Sequence, residues 1–197
     1  MLRFILPACL VIAVGIAPGS DLPPLDDTLV IRDWLLCGPF SVGAREGITG
    51  VIDDPGTFRP AEGDTARTSL VQGGVAVWKR KSADSLGWLD TDYEDVLWDS
   101  IMDFYGVAGL IAAGYAWAEI ECPSACRALA ITHRVGFNVN GAWYQGDAYG
   151  RDWLRTPVQL DSGTNRILLS ISGFADRRVR FMLVPPPAPA MTICRDA

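Results

Sequence analysis

Histidine is the scarcest residue in this chain: His133 is the only one among 197 residues. Zinc sites rely on several imidazole or thiolate ligands, so one histidine argues against a metal centre. As a general base His133 would need a nucleophile, and no Gly-x-Ser-x-Gly motif marks a serine. Arg134 beside it disfavours protonation of the imidazole. We therefore expect a structural or solvated histidine, no metal ligands and no catalytic residues.

Positive charge is also in short supply, with 17 Lys and Arg against 23 Asp and Glu and a net charge of −6. Nucleic-acid binding demands clustered Lys and Arg, so the composition argues against a nucleic-acid partner. It equally argues against adhesion to anionic membranes. We interpret the acidity as an aid to solubility rather than as an acidic binding surface.

No apolar run is long enough for a transmembrane helix, because Phe4–Ala17 covers about 14 residues and a span needs roughly 20. Arg3 precedes this run, and small residues end it, which is the layout of a signal peptide. We predict a signal peptide over residues 1–20, cleaved after Gly19 or Ser20, with an uncleaved anchor as the alternative. The mature protein would then be secreted or periplasmic, without a membrane span.

The remaining chain, roughly 177 residues, is long enough for one domain with a real core. We predict a single domain over residues 21–184, followed by a proline-rich tail over residues 185–197. Pro185–Pro189 cannot join a sheet ladder and is expected to be an extended spacer. Without Arg3, 16 basic residues face 23 acidic ones, a net charge of −7.

Four cysteines follow the predicted cleavage site: Cys37, Cys122, Cys126 and Cys194. An even number of cysteines in an exported protein favours disulfides, and four allow three pairings. Cys122-Pro-Ser-Ala-Cys126 is a turn sequence between apolar stretches, so these two cysteines are the candidates for a local pair. Cys37 would then pair with Cys194. Metal binding is the weaker alternative.

Short alternating or apolar runs bounded by turn residues predict an all-β fold, a jelly-roll-like antiparallel β-sandwich. The predicted strands are Thr28–Leu36, Gly74–Lys79, Tyr115–Glu121, Arg127–Thr132, Val135–Val139, Ala142–Tyr144, Thr156–Leu160, Arg166–Ser172 and Val179–Val184. Gly38-Pro39-Phe40 should stop the first strand, and Asn140-Gly141 predicts a tight hairpin turn. Ser41–Arg67 is expected to be a long surface excursion. Residues 93–105 are compatible with one short helix or with an irregular aromatic loop.

Two stretches carry a resemblance to a known family. Trp34-Leu-Leu-Cys-Gly-Pro-Phe40, and the order of strands and turns from Tyr115 to Val184, resemble the galactose-binding-like jelly-roll modules of bacterial exported proteins. Such modules accompany secreted glycoside hydrolases and some prolyl-oligopeptidase-type enzymes. Many relatives carry an acidic stretch before the Asn-Gly strand, where this chain has Thr132, His133 and Arg134. A calcium or ligand contact made by that stretch in relatives is therefore not expected here.

Carboxylates are concentrated in one segment, which contains Asp90, Asp92, Glu94, Asp95 and Asp99. Glycoside hydrolysis uses paired carboxylates, and calcium prefers oxygen clusters. The spacing matches no calcium loop, so we expect a solvated acidic loop and no cofactor. Calcium remains the weaker alternative, and a secreted hydrolase that uses residues 90–99 is the second alternative function.

Aromatic residues offer the best candidates for ligand binding, because sugars stack on aromatic faces while amides and guanidinium groups bond their hydroxyls. The candidate ligand-binding residues are Asn138, Asn140, Trp143, Tyr144, Tyr149, Arg151, Asp152 and Trp153. In the alternative interpretation, Trp143 and Trp153 fill the ends of the sandwich core. Trp34, Trp78 and Trp117 are predicted to be core residues.

The sequence thus predicts a non-catalytic exported module that binds carbohydrate or another polymer of the cell envelope or extracellular space. The first alternative is a purely structural or domain-packing module without a ligand.

Overall fold

The computed structural model describes residues 22–41, 51–99, 103, 112–147, 149–172 and 178–187. The predicted signal peptide lies outside these ranges, as do Cys194 and the end of the proline-rich tail. No helix within the described ranges is long and apolar enough to cross a membrane.

The described residues form an all-β protein, which confirms the predicted fold class. The strands are β1 (Asp33–Ser41), β2 (Thr65–Arg67), β3 (Val75–Val77), β4 (Lys79–Ser82), β5 (Trp88–Asp90), β6 (Ala112–Cys122), β7 (Cys126–His133), β8 (Val135–Val139), β9 (Ala142–Tyr144), β10 (Arg155–Leu160), β11 (Gly163–Ser172) and β12 (Arg178–Val184). A 3-10 turn, Gln72–Gly74, precedes β3.

Ten of these strands form two antiparallel sheets that pack face to face. The six-stranded sheet has the order β4-β1-β6-β11-β8-β9, and the four-stranded sheet has the order β10-β7-β12-β5. From β6 onwards the chain passes repeatedly between the sheets, with only the β8–β9 hairpin staying within one. This antiparallel sandwich is compatible with a jelly roll. The strand that follows the cysteine-flanked turn, β7, therefore lies in the opposite sheet from β6.

An inner core fills the space between the sheets. On β6, Ala116, Ala118 and Ile120 face this core, whereas Tyr115 and Trp117 face the other way, as the alternation of the sequence predicts. In the core, the rings of Trp34 and Phe181 meet edge to face with centroids 6.0 Å apart, and Phe137 meets Phe181 at 5.3 Å. Full burial of such a side chain stabilises the fold by about 1.5–3 kcal/mol.

A second apolar layer lies on the outer face of the six-stranded sheet. Residues 51–78, here called the covering segment, include the two-stranded sheet β2-β3 and place Ile52, Phe58 and Trp78 against Trp117 and Leu168. Within the expected surface excursion over 41–67, Ile52 is buried and Phe58 packs on the sheet, whereas residues 61–65 are exposed as predicted, and residues 42–50 lie outside the described ranges. The cover forms because the outward residues of this sheet are apolar and need burial.

The first strand begins and ends later than predicted. Thr28–Arg32 contributes only an isolated bridge, between Leu29 and Leu183, and β1 continues through Gly38-Pro39-Phe40 to Ser41. The pairing of β1 with β6 shifts register between Cys37 and Phe40, so the missing amide of Pro39 falls where the ladder is interrupted.

Two further predictions differ in detail. The predicted strand Gly74–Lys79 is divided at Trp78 into β3 and β4, which belong to different sheets. In the predicted helix over 93–105, residues 93–97 are not helical, and Val96 forms a bridge with Val71. Trp98, Asp99 and Asp103 have helical backbone, while the other residues of that span lie outside the described ranges.

Candidate functional site

Exposed aromatic side chains are concentrated between β9 and β10. Trp143 on β9 is 53% exposed, and Tyr149 and Trp153 in the following loop are 79% and 72% exposed. We call residues 145–154 the aromatic loop. Because Trp143 and Trp153 point into solvent, the alternative that they fill the ends of the core is wrong. Trp34, Trp78 and Trp117 are buried, which confirms their predicted place in the core.

The two strands that flank the aromatic loop, β9 and β10, lie on the same side of the sandwich. Strands β9 and β10 are edge strands of the two sheets. Tyr144 of β9 and Pro157 of β10 line one open groove of about 520 Å³. Arg127, Leu129, Gln159 and Pro186 are further lining residues of this groove. Such a volume falls within the range of small-molecule and cofactor sites.

Asp147 holds the root of the aromatic loop and is itself only 5% exposed. Its amide donates to Thr132 Oγ1 at 2.7 Å, and its carbonyl accepts from the amides of Arg134 and Gly150 at 2.8 and 3.1 Å. Its carboxylate oxygen Oδ2 accepts from the amide of Asp152 at 2.6 Å. The loop is thus anchored by polar contacts at its base, which leaves its rings facing water.

Asp152 forms a second anchor through His133. The Nδ1 atom of His133 lies 3.0 Å from Asp152 Oδ1, and the imidazole meets the ring of Trp88 at 5.0 Å between centroids. The sequence pointed to Arg134 as the neighbour of this histidine, but the carboxylate partner comes from 19 residues away. The contacts of His133 position the loop, in keeping with a structural histidine.

Two glycines allow the loop to pass close to the β7–β8 turn. Gly146 has φ +61°, and a Cβ atom there would lie 2.3 Å from the carbonyl oxygen of Val135. Gly150 also has φ +61°, and its Cβ would lie 2.7 Å from His133 Cε1. At Gly146 only glycine satisfies both the backbone conformation and the close approach, because the added atom would meet backbone, whereas at Gly150 it would meet side chains.

The two candidate asparagines lie in the β8–β9 turn. The turn residues Asn140 and Gly141 have φ values of 52° and 96°, as a primed hairpin turn requires. Asn138 Oδ1 accepts from the amide of Gly141 at 2.8 Å. The Asn140 side chain donates to Asn165 Oδ1 at 2.8 Å and accepts from the amide of Arg166. These contacts serve the turn and join it to the start of β11.

The remaining candidates divide between core and surface. Tyr144 is half-buried and stacks on Phe137, with ring centroids 5.0 Å apart and planes 12° apart. The guanidinium carbon of Arg151 lies 6.0 Å from the centre of the Trp153 ring. The structure therefore brings Arg151, Asp152 and Trp153 together on the exposed loop, and places Tyr144 at its inner border.

The acidic residues 90–99 divide between two places, because Asp90 lies on the four-stranded sheet whereas Asp92, Glu94 and Asp95 line one small pocket beside Lys79 and Lys81. Asp90 pairs with Arg178 at 2.9 Å on the four-stranded sheet, whereas Glu94 pairs with Lys79 on the other sheet. Within the described ranges, no three His, Cys, Asp or Glu side chains are grouped so as to hold a metal ion.

The described cysteines, Cys37, Cys122 and Cys126, are free and buried, so the predicted bond between Cys122 and Cys126 is absent from the structure. Cys122 ends β6 and Cys126 begins β7, and the two thiols interact across the turn between them. Burial, with the neighbouring Cys126, raises the pKa of the Cys122 thiol. Burial raises the pKa of Cys37 to about 12, partly offset by a hydrogen bond from the Gly38 amide. The pairing of Cys37 with Cys194 falls outside the described residues and stays a prediction.

Sequence reasoning missed Asp147 and the cluster around Trp88. The guanidinium carbons of Arg178 and Arg180 each lie 5.6 Å from the centre of the Trp88 ring. The available signal was the two-residue spacing of Arg178 and Arg180 at the start of the predicted strand Val179–Val184, since alternate side chains of a strand share one face. Asp147 gave no comparable signal, because its role depends on contacts distant in the chain.

The fold and the loop define a class of protein: an antiparallel β-sandwich with an aromatic, polar-anchored loop at one edge. No family model matches the chain, and neither a curated protein nor a solved structure matches it.

Proposed function

We propose that the protein is a non-catalytic exported module that binds carbohydrate or another polymer of the cell envelope or extracellular space. The observation that best supports this proposal is the solvent exposure of Trp143, Tyr149 and Trp153 at the β9–β10 edge. Trp143 and Trp153 are 53% and 72% exposed, so neither side chain packs in the inner core. Aromatic faces are the surfaces on which sugar rings pack.

The anchoring of the loop supports this function. Asp147 and the Asp152–His133 contact hold the base of the loop at several hydrogen-bonded positions. A loop that is already ordered loses less conformational entropy when it binds a ligand. The adjoining groove of about 520 Å³ offers polar partners for hydroxyl groups, among them Gln159 and Arg127.

We also propose that the protein is related to the galactose-binding-like modules, a relationship with which the antiparallel sandwich is compatible. In this proposal, the signal peptide of residues 1–20 directs export. The proposal also includes a disulfide between Cys122 and Cys126 in the exported protein, supported by the contact between their side chains. Mass spectrometry of the protein purified from the periplasm or medium would show this bond as a loss of two hydrogens.

Binding to a glycan array and to insoluble polysaccharides tests the function. We expect the wild-type protein to bind at least one glycan, and the Trp143→Ala, Trp153→Ala double variant to lose at least tenfold in affinity. Trp98→Ala is the matched control, since Trp98 is 46% exposed but lies outside the aromatic loop. Absence of binding by the wild type, or full binding by the double variant, would contradict the proposal.

A further inference from the structure

The outer face of the four-stranded sheet carries four arginines, although the chain as a whole is acidic. Its inner side is marked by buried residues such as Ala128, Ala130 and Phe181, so alternate residues point outward. We call the outward side the arginine face. It comprises Arg155, Pro157 and Gln159 on β10, Arg127, Leu129, Ile131 and His133 on β7, Arg178, Arg180, Met182 and Val184 on β12, and Trp88 and Asp90 on β5.

The strand register arranges these side chains in rows across the sheet. One row runs from His133 through Arg180 to Trp88. The next begins at the exposed Arg155 and passes through Ile131 to Met182, whose side chains are only 9% and 8% exposed. Arg155 directly follows Trp153 and Leu154, so the aromatic loop leads onto the arginine face.

Positive charge on this face is only partly neutralised. Arg178 is paired with Asp84 and Asp90 at 3.0 and 2.9 Å. Arg180 donates to the carbonyl of Leu86 at 2.8 Å and to the sulfur of Met182 at 3.1 Å. Among the residues that the structure describes, neither Arg180 nor Arg155 has a carboxylate partner.

The guanidinium of Arg155 is held in place by backbone carbonyls, which favours ligand binding. Its Nη1 atom donates to the carbonyls of Asp152 and Leu154 at 2.8 and 3.3 Å, which fixes the guanidinium beside the aromatic loop. Arg127 is exposed and lines the groove described above. A guanidinium group recognises a carboxylate through two parallel hydrogen bonds, which makes arginine the residue of choice for that ligand.

We infer that the arginine face binds an anionic polysaccharide whose sugars carry carboxylate groups, and this rests on the proposed function of the aromatic loop. The polymer would stack on the loop and cross the strands from β10 towards β5. Four strands give a width of about 14 Å for this path. A nucleic acid suits the surface less well, because its binding demands clustered Lys and Arg, and Arg178 is already paired with two carboxylates.

Affinity electrophoresis in gels that contain polygalacturonate or a neutral dextran tests the inference. We expect tighter binding to polygalacturonate, and binding that weakens as salt rises from about 50 to 300 mM because exposed charges are screened. Arg155→Gln and Arg180→Gln should each weaken it about five- to tenfold. Arg80→Gln on β4 is the matched control and should leave binding unchanged, since Arg80 pairs with Glu62 at the far edge of the other sheet.

Each other outcome overturns the inference in a recognisable way. Equal, salt-insensitive binding to dextran and polygalacturonate would refute the charge preference while leaving carbohydrate binding intact. Equal weakening by Arg80→Gln would show that only overall charge matters. Tighter binding to single-stranded DNA would point to nucleic acid instead. A wild type that binds no polymer would remove the proposed function as well. The unfolding midpoint of each variant shows whether it is folded. Because Arg155 is exposed, Arg155→Gln is the variant expected to disturb the fold least.

Discussion

The covering segment and the aromatic loop both lie outside the two main sheets, and both carry large aromatic residues, yet they use them in opposite ways. Phe58 and Trp78 of the covering segment pack on each other with centroids 5.5 Å apart and on the apolar outer face of the six-stranded sheet. Tyr149 and Trp153 of the loop face solvent, because the loop is anchored by polar groups. The partner surface therefore decides whether a tryptophan is buried.

The same substitution in the two segments gives the largest expected contrast. Trp78→Ala should lower the free energy of unfolding by about 3–5 kcal/mol, because it leaves a cavity in the outer core. Trp153→Ala should change it by less than about 0.5 kcal/mol, since an exposed side chain loses few contacts. Urea denaturation followed by circular dichroism measures both. Similar losses for the two variants would mean that the covering segment is not a structural layer.

Glycines provide the second contrast. Gly146→Ala in the aromatic loop should cost about 2–4 kcal/mol, because the added methyl meets a backbone carbonyl and the backbone has φ +61°. Gly63→Ala in the covering segment should cost only about 1–2 kcal/mol, since its φ is +93° but nothing lies within 4 Å of the added atom. Thermal unfolding of both variants checks the difference, and an equal loss would show that the close approach to Val135 does not matter.

Much of the fold was predictable because it depends on local patterns. The alternation along β6, the Asn140-Gly141 turn and the strands β7 to β12 follow from periodicity and turn chemistry. The route of β1 was not predictable in this way. Gly and Pro within an apolar run normally indicate the end of a strand, whereas here the register of β1 against β6 shifts and the strand continues.

The site was predictable in composition but not in geometry. The sequence marked the aromatic residues of the loop, but could not show that Trp143 and Trp153 face solvent. It assigned Asn138 and Asn140 to ligand binding, whereas their side chains serve the β8–β9 turn. The anchor formed by Asp152 and His133, and the assembly of arginines from β7, β10 and β12, require strand pairings that single-sequence patterns do not specify.

The polar anchor of the loop should be weaker than the apolar anchor of the cover. Asp147→Ala removes the carboxylate that accepts from the Asp152 amide, and should cost about 1–2 kcal/mol. Asp147→Asn keeps an acceptor oxygen and should cost less. Hydrogen exchange of the loop amides, measured by mass spectrometry, should speed up in the alanine variant while exchange in the covering segment stays unchanged. Faster exchange in both segments would contradict independent anchoring.

The smallest effect concerns pH and distinguishes a carboxylate of the cover from one beside the arginine face. Hydrogen bonds from the Thr57 side chain and the Gly56 amide lower the pKa of Asp54, whereas the Trp88 and Leu86 amides and the Arg178 guanidinium lower that of Asp84. A carboxyl group with a lowered pKa in the folded state stabilises the protein above its unfolded pKa, and this contribution is lost as the pH falls through the folded value.

Both Asp54→Asn and Asp84→Asn should therefore flatten the loss of stability below about pH 4. High salt should reduce the contribution of Asp84, because part of it is an exposed ion pair with Arg178, and should leave that of Asp54 nearly unchanged. Urea denaturation across this pH range, at low salt and near 1 M salt, measures both. Equal salt sensitivity of the two carboxylates would show that Arg178 does not act on Asp84 in solution. In that case Asp90 alone would neutralise Arg178 at the edge of the arginine face.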